Sequence, residues 1–374
     1  MKRRFSLSGI VISNLVPIVF LIFAFIAVPL SGLSVRYLVQ EIMTRLGRDS
    51  FLVLSLLVPV MAGMGLNFGM VLGAMAGQIG LIFISDWGVV GVPGILVAAL
   101  IGTPISIALG LFCGSIMNRA KGREMVTSYI LGFFMDGAYQ FFILYCMGSL
   151  IILRNPELLL SRGYGVRNTV DLLGIRQILD DLIPLSVGGI QIPVASFVLL
   201  ATLCLILVWF SRTKLGQDMR ALGRDMAVAD GAGISVARTR IIAIVISTLL
   251  ACYGQIVSLQ NLGTINTYSS HQQVGIFAIA ALLVGGGSVE KATIPNVFIG
   301  VLLFHVMFVV SPMAGKNLIG DAQLGEYFRV FVSYGIIAVT LLLHAWKHRR
   351  ELRDRRKAED SAAVDDSRSE GAAL

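Results

Sequence analysis

Asp136 is the residue whose type and place ask most directly for chemistry. It lies twelve residues into an apolar run that opens at Glu124. At about 1.5 Å per helical residue that sets its carboxyl roughly 18 Å along, near the middle of any bilayer the run crosses. An ionisable group at that depth is costly and is a functional candidate by default. Tyr139 and Gln140 follow at i+3 and i+4 and Gly132 precedes at i−4, so a helix gathers them into one polar stripe. The stripe suits a cavity that gives hydrogen bonds to a polar solute. It equally suits a structural Asp held between helices. Asn67 joins Tyr139, Gln140 and Asp136 as a candidate for the lining of a path, because the run Met61 to Gly69 around it is interrupted by glycines. Such interruptions mark either broken helices around a path or tight turns. Gln78, Gln255, Asn261, Asn296 and His305 are the other polar residues in or beside apolar runs, each expected to be satisfied by packing. Asn296 and His305 stand nine residues apart, half a helical turn net, and cannot both face one narrow pathway.

Catalytic and metal chemistry find no footing. Gly285-Gly-Gly-Ser-Val-Glu-Lys291 lacks the spacing of a phosphate loop, and neither a Gly-x-Ser-x-Gly nor a His-Glu-x-x-His occurs. Cys113, Cys146, Cys204 and Cys252 fall inside apolar stretches, where cysteine acts as a small hydrophobe. His344 and His348 are spaced as ligands, but Lys347, Arg349 and Arg350 beside them disfavour a metal. No catalytic residue, no metal and no cofactor bound by this chain are expected.

The elements that must carry these residues are membrane helices. Of 374 residues 56% are hydrophobic and 14% charged, against about 25% charged in an ordinary globular chain. Solid apolar runs, rather than alternation, predict an all-α polytopic transmembrane bundle of about ten spans, some short or broken. The runs lie near 12–32, 51–66, 68–86, 89–117, 124–152, 193–210, 241–260, 272–287, 293–311 and 328–346. The net charge of +8 is concentrated in short loops and a tail, which fits membrane orientation better than nucleic-acid binding. With both termini cytoplasmic, the basic segments 118–123 and 211–240 fall inside. The charge-balanced loop 153–192 falls outside. Residues 33–50, with Leu38, Ile42 and Leu46 at four-residue spacing, read as an interfacial helix. Gly65, Gly69, Gly73 and Gly77 recur every four residues and read as a close-packing face. Residues 1–350 form the membrane domain, and the polar segment 351–374 is expected to be a disordered tail.

One stretch looks outward to a protein. Thr213 to Ile234 breaks into two short helical pieces, with Asp225 placed to cap the second and Gly231 and Gly233 to stop it. A helix of barely two turns is not stable alone in water, so the segment is either a knob held against a partner or a solvated loop.

Lys-Leu-Gly-x-x-x-Arg-Ala-Leu-Gly-Arg-Asp-x-x-x-Ala-x-x-x-Gly-Ile, as it stands in this stretch, resembles the cytoplasmic coupling loop of bacterial ABC importer permeases of the ribose, simple-sugar and nucleoside type. The stretch Gly63–Gly77 is similar to their early glycine-rich segment. Ala278–Ser288 with Phe298–Leu303 is similar to their late paired motif, and Glu124–Phe134 resembles a segment of the nucleoside-type members. The resemblance implies a multi-pass subunit of the bacterial inner membrane that imports a monosaccharide or nucleoside. It implies ATP-binding cassette subunits that hold ATP and Mg, an extracytoplasmic solute-binding protein, and a second permease copy or homologue as partners, with lipid around them. It also implies that Gly216, Arg220, Ala221, Gly223, Asp225, Ala229, Gly233 and Ile234 form the contact with the ATPase. Two alternatives stand beside it: a branched-chain amino acid importer permease, and a secondary transporter or channel that uses Asp136.

Overall fold

The computed structural model describes residues 15–321, 323–331, 334–335, 337–338 and 342. The basic N-terminus, His344 and His348, and the tail 351–374 lie outside the described residues, as does much of the expected last span, 328–346.

Long apolar runs make the helices, and Pro29, Pro104 and Pro312 are carried inside three of them. In chain order they are α1 (Leu15–Ser31), α2 (Val35–Leu54), α3 (Leu57–Met61), α4 (Met70–Trp87), α5 (Gly91–Arg119) and α6 (Glu124–Phe141). A π-helical turn, Phe142–Cys146, extends α6. Then come α7 (Ile178–Asp181), α8 (Val194–Arg212), α9 (Lys214–Arg224), α10 (Met226–Gly231), α11 (Val236–Leu262), α12 (Ser270–Val284) and α13 (Ile294–Ile319). Residues 323–331 are helical as well. Stops are local: Gly88 and Gly263 close α4 and α11 in the left-handed region, at φ 66° and 74°, where a Cβ is strained.

The expectation of an all-α chain needs one amendment. The long loop before α8 carries short strands: β1 (Thr169–Asp171) pairs antiparallel with β4 (Thr264–Asn266), and β2 (Pro184–Val187) pairs with β3 (Ile190–Pro193). Three- and four-residue strands leave no periodic signal to read. The first pair ties the loop to the end of α11, as does the bond from the Leu172 amide to the Gly263 carbonyl (2.9 Å). Asp86 at the end of α4 accepts the amides of Arg154 and Asn155, at 2.6 and 2.9 Å. These bonds define the loop-bearing end of the bundle; Met61 and α9 mark the opposite end.

The expected ten spans are not found as such. Among the described residues six helices have the length and apolarity to cross a membrane, and Val16–Ser31 and Ser270–Val284 are shorter apolar helices. The largest departure is α2. The segment expected to lie at the interface, 33–50, instead enters the bundle as one 20-residue helix that runs on to Leu54, so the expected span 51–66 is broken at Ser55 and Leu56. Its charges lower its hydropathy but meet partners inside: Arg45 pairs with Glu41 (3.0 Å), and Asp49 with Arg48 and with His305 of α13 (both 2.9 Å). Paired charges can be buried where single ones cannot.

The core is built on close backbone approach. A Cβ at Gly73 would stand 2.1 Å from the Thr248 carbonyl oxygen, and one at Gly77 2.7 Å from that of Cys252, so α4 lies directly on α11. The close-packing face therefore holds for Gly73 and Gly77; Gly65 sits in the turn before α4, and Gly69 caps it. Gly285 and Gly300 lock the end of α12 to α13 in the same way. Residues 323–331 pack back on the bundle, with Phe328 stacked on Phe23 at 5.4 Å and Arg329 over Phe308.

Candidate functional site

The helical spacing on α6 gathers Asp136, Tyr139 and Gln140, and the fold adds Gln78 from α4 and His271 and Gln272 from the first turn of α12. His271 Nε2 lies 2.6 Å from Asp136 Oδ1, and its Nδ1 lies 2.9 Å from the Gln78 amide oxygen. Tyr139 donates its hydroxyl to the same oxygen at 3.1 Å and meets the His271 ring edge-on, centroids 4.7 Å apart. Gln140 and Gln272 both donate to Asp136 Oδ2, at 3.1 and 2.7 Å. One side of the cluster is closed: Gln78, Tyr139 and His271 are buried. The other side is open, since Asp136 and Gln140 are half-buried and Gln272 is exposed. Phe133, Phe134 and Phe141 on α6 are exposed beside it, so the polar groups sit in an apolar face that the described residues leave uncovered.

The partners fix the tautomer. With its Nε2–H directed at a carboxylate, a neutral His271 presents Nδ1 as an acceptor, and Gln78 must then face it with its amide nitrogen. Turning that amide over lets its nitrogen donate to both His271 Nδ1 and the Tyr139 oxygen, and puts the amide oxygen in the position that has no partner. The cluster then offers donors and acceptors around one carboxylate and takes no further charge, which suits hydroxyl groups in transit.

Of the path residues expected from sequence, Asp136, Tyr139 and Gln140 are brought together. Asn67 is not. It is buried eleven residues before Gln78, its amide donating to Ser247 (3.1 Å) and its oxygen accepting from the Gly69 amide (2.9 Å). The second bond forms the turn into α4, and the first holds that turn to α11. Asn296 closes a capping box with Thr293 and donates to the Gly285 carbonyl at 2.8 Å. His271 and Gln272 were not among the expected residues. Ser269-Ser-His-Gln-Gln is polar enough to read as the link before a span, and no local spacing ties it to Asp136.

The segment 213–234 folds as α9 and α10. Thr213 caps α9 through the Gly216 amide, and Asp225 caps α10 by accepting from the amides of Ala227 and Val228, at 2.9 and 3.1 Å. Gly233 follows at φ 82°. Leu222, Ala229 and Val236 form a small core of their own, with Ala221, Met226 and Ile234 packed around it. Several residues expected to touch a partner therefore face inward. Ala229 is 2% exposed, and Gly216 is pressed on the Phe210 carbonyl. Gly223 is needed where α9 crosses the chain, since a Cβ there would lie 2.4 Å from the Met61 carbonyl. Of the expected contact residues Arg220, Gly223, Asp225 and Gly233 are exposed, and beside them stands Val228, an apolar side chain 68% exposed.

Comparison with known proteins follows the same lines. The family model described as branched-chain amino acid transport system / permease component matches residues 38–341. The autoinducer 2 import system permease protein of Photorhabdus luminescens is 24% identical over 285 residues, 74% of this chain and 76% of its own. The nucleoside ABC transporter permease protein of Lactococcus lactis subsp. cremoris is 25% identical over 315 residues, covering 80% and 78%. The D-allose transport system permease protein of Escherichia coli K12 is 25% identical over 288 residues, covering 76% of each chain. No solved structure matches.

Proposed function

The chain belongs to the branched-chain amino acid transport system / permease component family, and from that premise we propose that it is the membrane subunit of an ATP-driven importer for a neutral, hydroxyl-rich solute, a monosaccharide or a nucleoside. The solute class rests on relatives named for D-allose and for nucleosides. A branched-chain amino acid has less support: no relative above is named for one, and a zwitterion would need fixed charges of both signs around it. The cluster on α6, α4 and α12 supplies one carboxylate already paired with His271.

The observation that carries the importer assignment is the α9–α10 knob. It is a capped pair of short helices: α9 seats Met219 in the bundle core, and α10 closes a small core of its own that leaves Val228 uncovered. A solvated loop needs no such core. ATPase subunits closing on ATP would press on the knob. The push would pass through the contact of Gly223 with Met61 and Gly63 into the chain between α3 and α4. In this account the knob end is cytoplasmic, both termini are inside, and the loop 153–192 faces the solute-binding protein. A second permease copy covers the open face of α6, placing Asp136, Gln140 and Gln272 along the path between the two subunits.

Cross-linking tests the knob. A Val228→Cys permease, assembled with the ATPase subunits encoded beside it, should cross-link to them through that thiol. Absence of a cross-link, with the complex intact by size-exclusion chromatography, removes the knob as the contact. The Asp136–His271 pair favours one rival, a proton-driven carrier, because a carboxylate–imidazole pair within a bundle can relay protons. Uptake that follows a pH gradient without any ATPase would select it.

A further inference from the structure

A cavity of about 320 Å³ lies on the other side of α12 from the Asp136 cluster, between α2, α11, α12 and α13. At about 100° per residue, Ser270, Gln273, Val274 and Phe277 occupy the face of α12 opposite His271 and Gln272, so the cavity and the cluster share only the helix as a wall. The cavity begins at the loop-bearing end, where Leu262 and Gln273 are exposed. It reaches down to Ala281, eleven residues and roughly 16 Å below Ser270.

Its chemistry is unlike that of a packing defect. Arg48 holds Asp49 through two bonds of 2.9 Å and donates to the Asn261 carbonyl oxygen at 3.0 Å, while His305 takes the second Asp49 oxygen at 2.9 Å. Arg45, also in the wall, pairs with Glu41 one turn earlier on α2 at 3.0 Å, so each charge in the wall has a partner. What remains uncommitted is neutral. Gln255 lines the cavity, is fully buried, and has no hydrogen-bond partner for either its amide nitrogen or its oxygen; His305 Nδ1 lacks one also. A buried amide with both ends unpaired is a cost that folding alone gives no reason to carry. Phe277 and Phe308 provide flat apolar surface beside it, and the volume falls at the small end of the range for ligand pockets.

We propose that this cavity is a solute chamber within a single subunit, which takes a small neutral molecule bearing both hydrogen-bond donors and acceptors, of the polyol or sugar class, with Gln255 as the group that recognises it. A charged solute is disfavoured because it would have to break the Arg48–Asp49–His305 set. The chamber does not rest on the importer account, since equilibrium binding to one chain needs neither an ATPase nor a binding protein.

The test uses the full chain in lipid nanodiscs, with D-ribose and uridine as probes and saturation-transfer NMR as the readout. Gln255→Met keeps the side-chain length and removes both amide atoms; Val274→Phe fills the cavity from α12 instead. Wild-type protein should show saturable binding of at least one probe; Gln255→Met should raise its dissociation constant about tenfold, the loss expected for two hydrogen bonds, and Val274→Phe should raise it at least as much by occupying the space. Gln255→Met should melt no lower than wild type, because no partnered group is removed. Three results would overturn the chamber: no probe signal above that of empty nanodiscs, wild-type affinity retained in both folded variants, or a lowered melting temperature for Gln255→Met that marks the amide as structural. ATP-independent transport would sink the importer account and leave this binding result untouched.

Discussion

If Asp136 and His271 act as one unit, removing both should cost little more than removing either. Their bond is 2.6 Å long, His271 is fully buried, and the Asp136 side chain is only 17% exposed, so solvent screens it weakly. A hydrogen bond to a charged group contributes about 1.5–3 kcal/mol net. The double-mutant cycle of Asp136→Ala and His271→Ala should therefore return a coupling energy of about 1.5–3 kcal/mol in thermal stability, near the top of what contacting pairs show. At 1.4 kcal/mol per factor of ten, the same coupling in uptake rate corresponds to roughly 10- to 150-fold. Each single variant strands a partner: His271→Ala leaves Asp136 with Gln140 and Gln272 alone, and Asp136→Ala frees the His271 ring to face only Gln78. The assays are melting of the purified protein and initial uptake rates in vesicles. Effects that add to within about 0.5 kcal/mol would refute the cluster as a unit. On the importer account, Asp136→Asn should slow uptake without changing which solute is accepted, because selection would lie mainly with an external binding protein.

Glu124 and Arg240 join α6 to α11 at 2.5 Å with Arg240 fully buried, so Glu124→Ala should destabilise by about 3–5 kcal/mol, and adding Arg240→Met should recover much of the loss; melting of the single and double variants checks this. Gly73→Val drives side-chain atoms into the Thr248 carbonyl and should cost at least about 1–3 kcal/mol, whereas Gly137→Ala, with open space at its Cβ, should be neutral or gain up to about 1 kcal/mol in the same melts. Asp225→Ala removes the cap of α10, worth about 1 kcal/mol, and should loosen the coupling of ATP hydrolysis to uptake while leaving the bundle's melting temperature nearly unchanged.

Local signals were legible in the sequence and long-range ones were not. The two pieces of the 213–234 knob and the Asp225 cap were readable because capping acts over three residues. Its inward-facing Ala229 was not, since the small core there needs Val236 from the next helix. The Asp136, Tyr139 and Gln140 stripe followed from helical spacing, but His271 stands 135 residues further along the chain and reaches Asp136 only through the packing of α12. The same limit hid the course of α2. Arg45, Arg48 and Asp49 make it look interfacial until His305 of α13 supplies the partner that allows burial. Asn67 is taken up by packing instead: its oxygen serves a turn two residues long, and its nitrogen reaches Ser247 of α11.

The most direct test of the importer account is accumulation in proteoliposomes that hold this chain with its neighbouring ATPase subunits. D-ribose or uridine is offered outside, together with the binding protein. The account predicts uptake against a gradient only when ATP and the binding protein are both present, abolished by Val228→Glu in a complex that stays folded. Accumulation driven by a pH gradient, with the ATPase withheld, would contradict it.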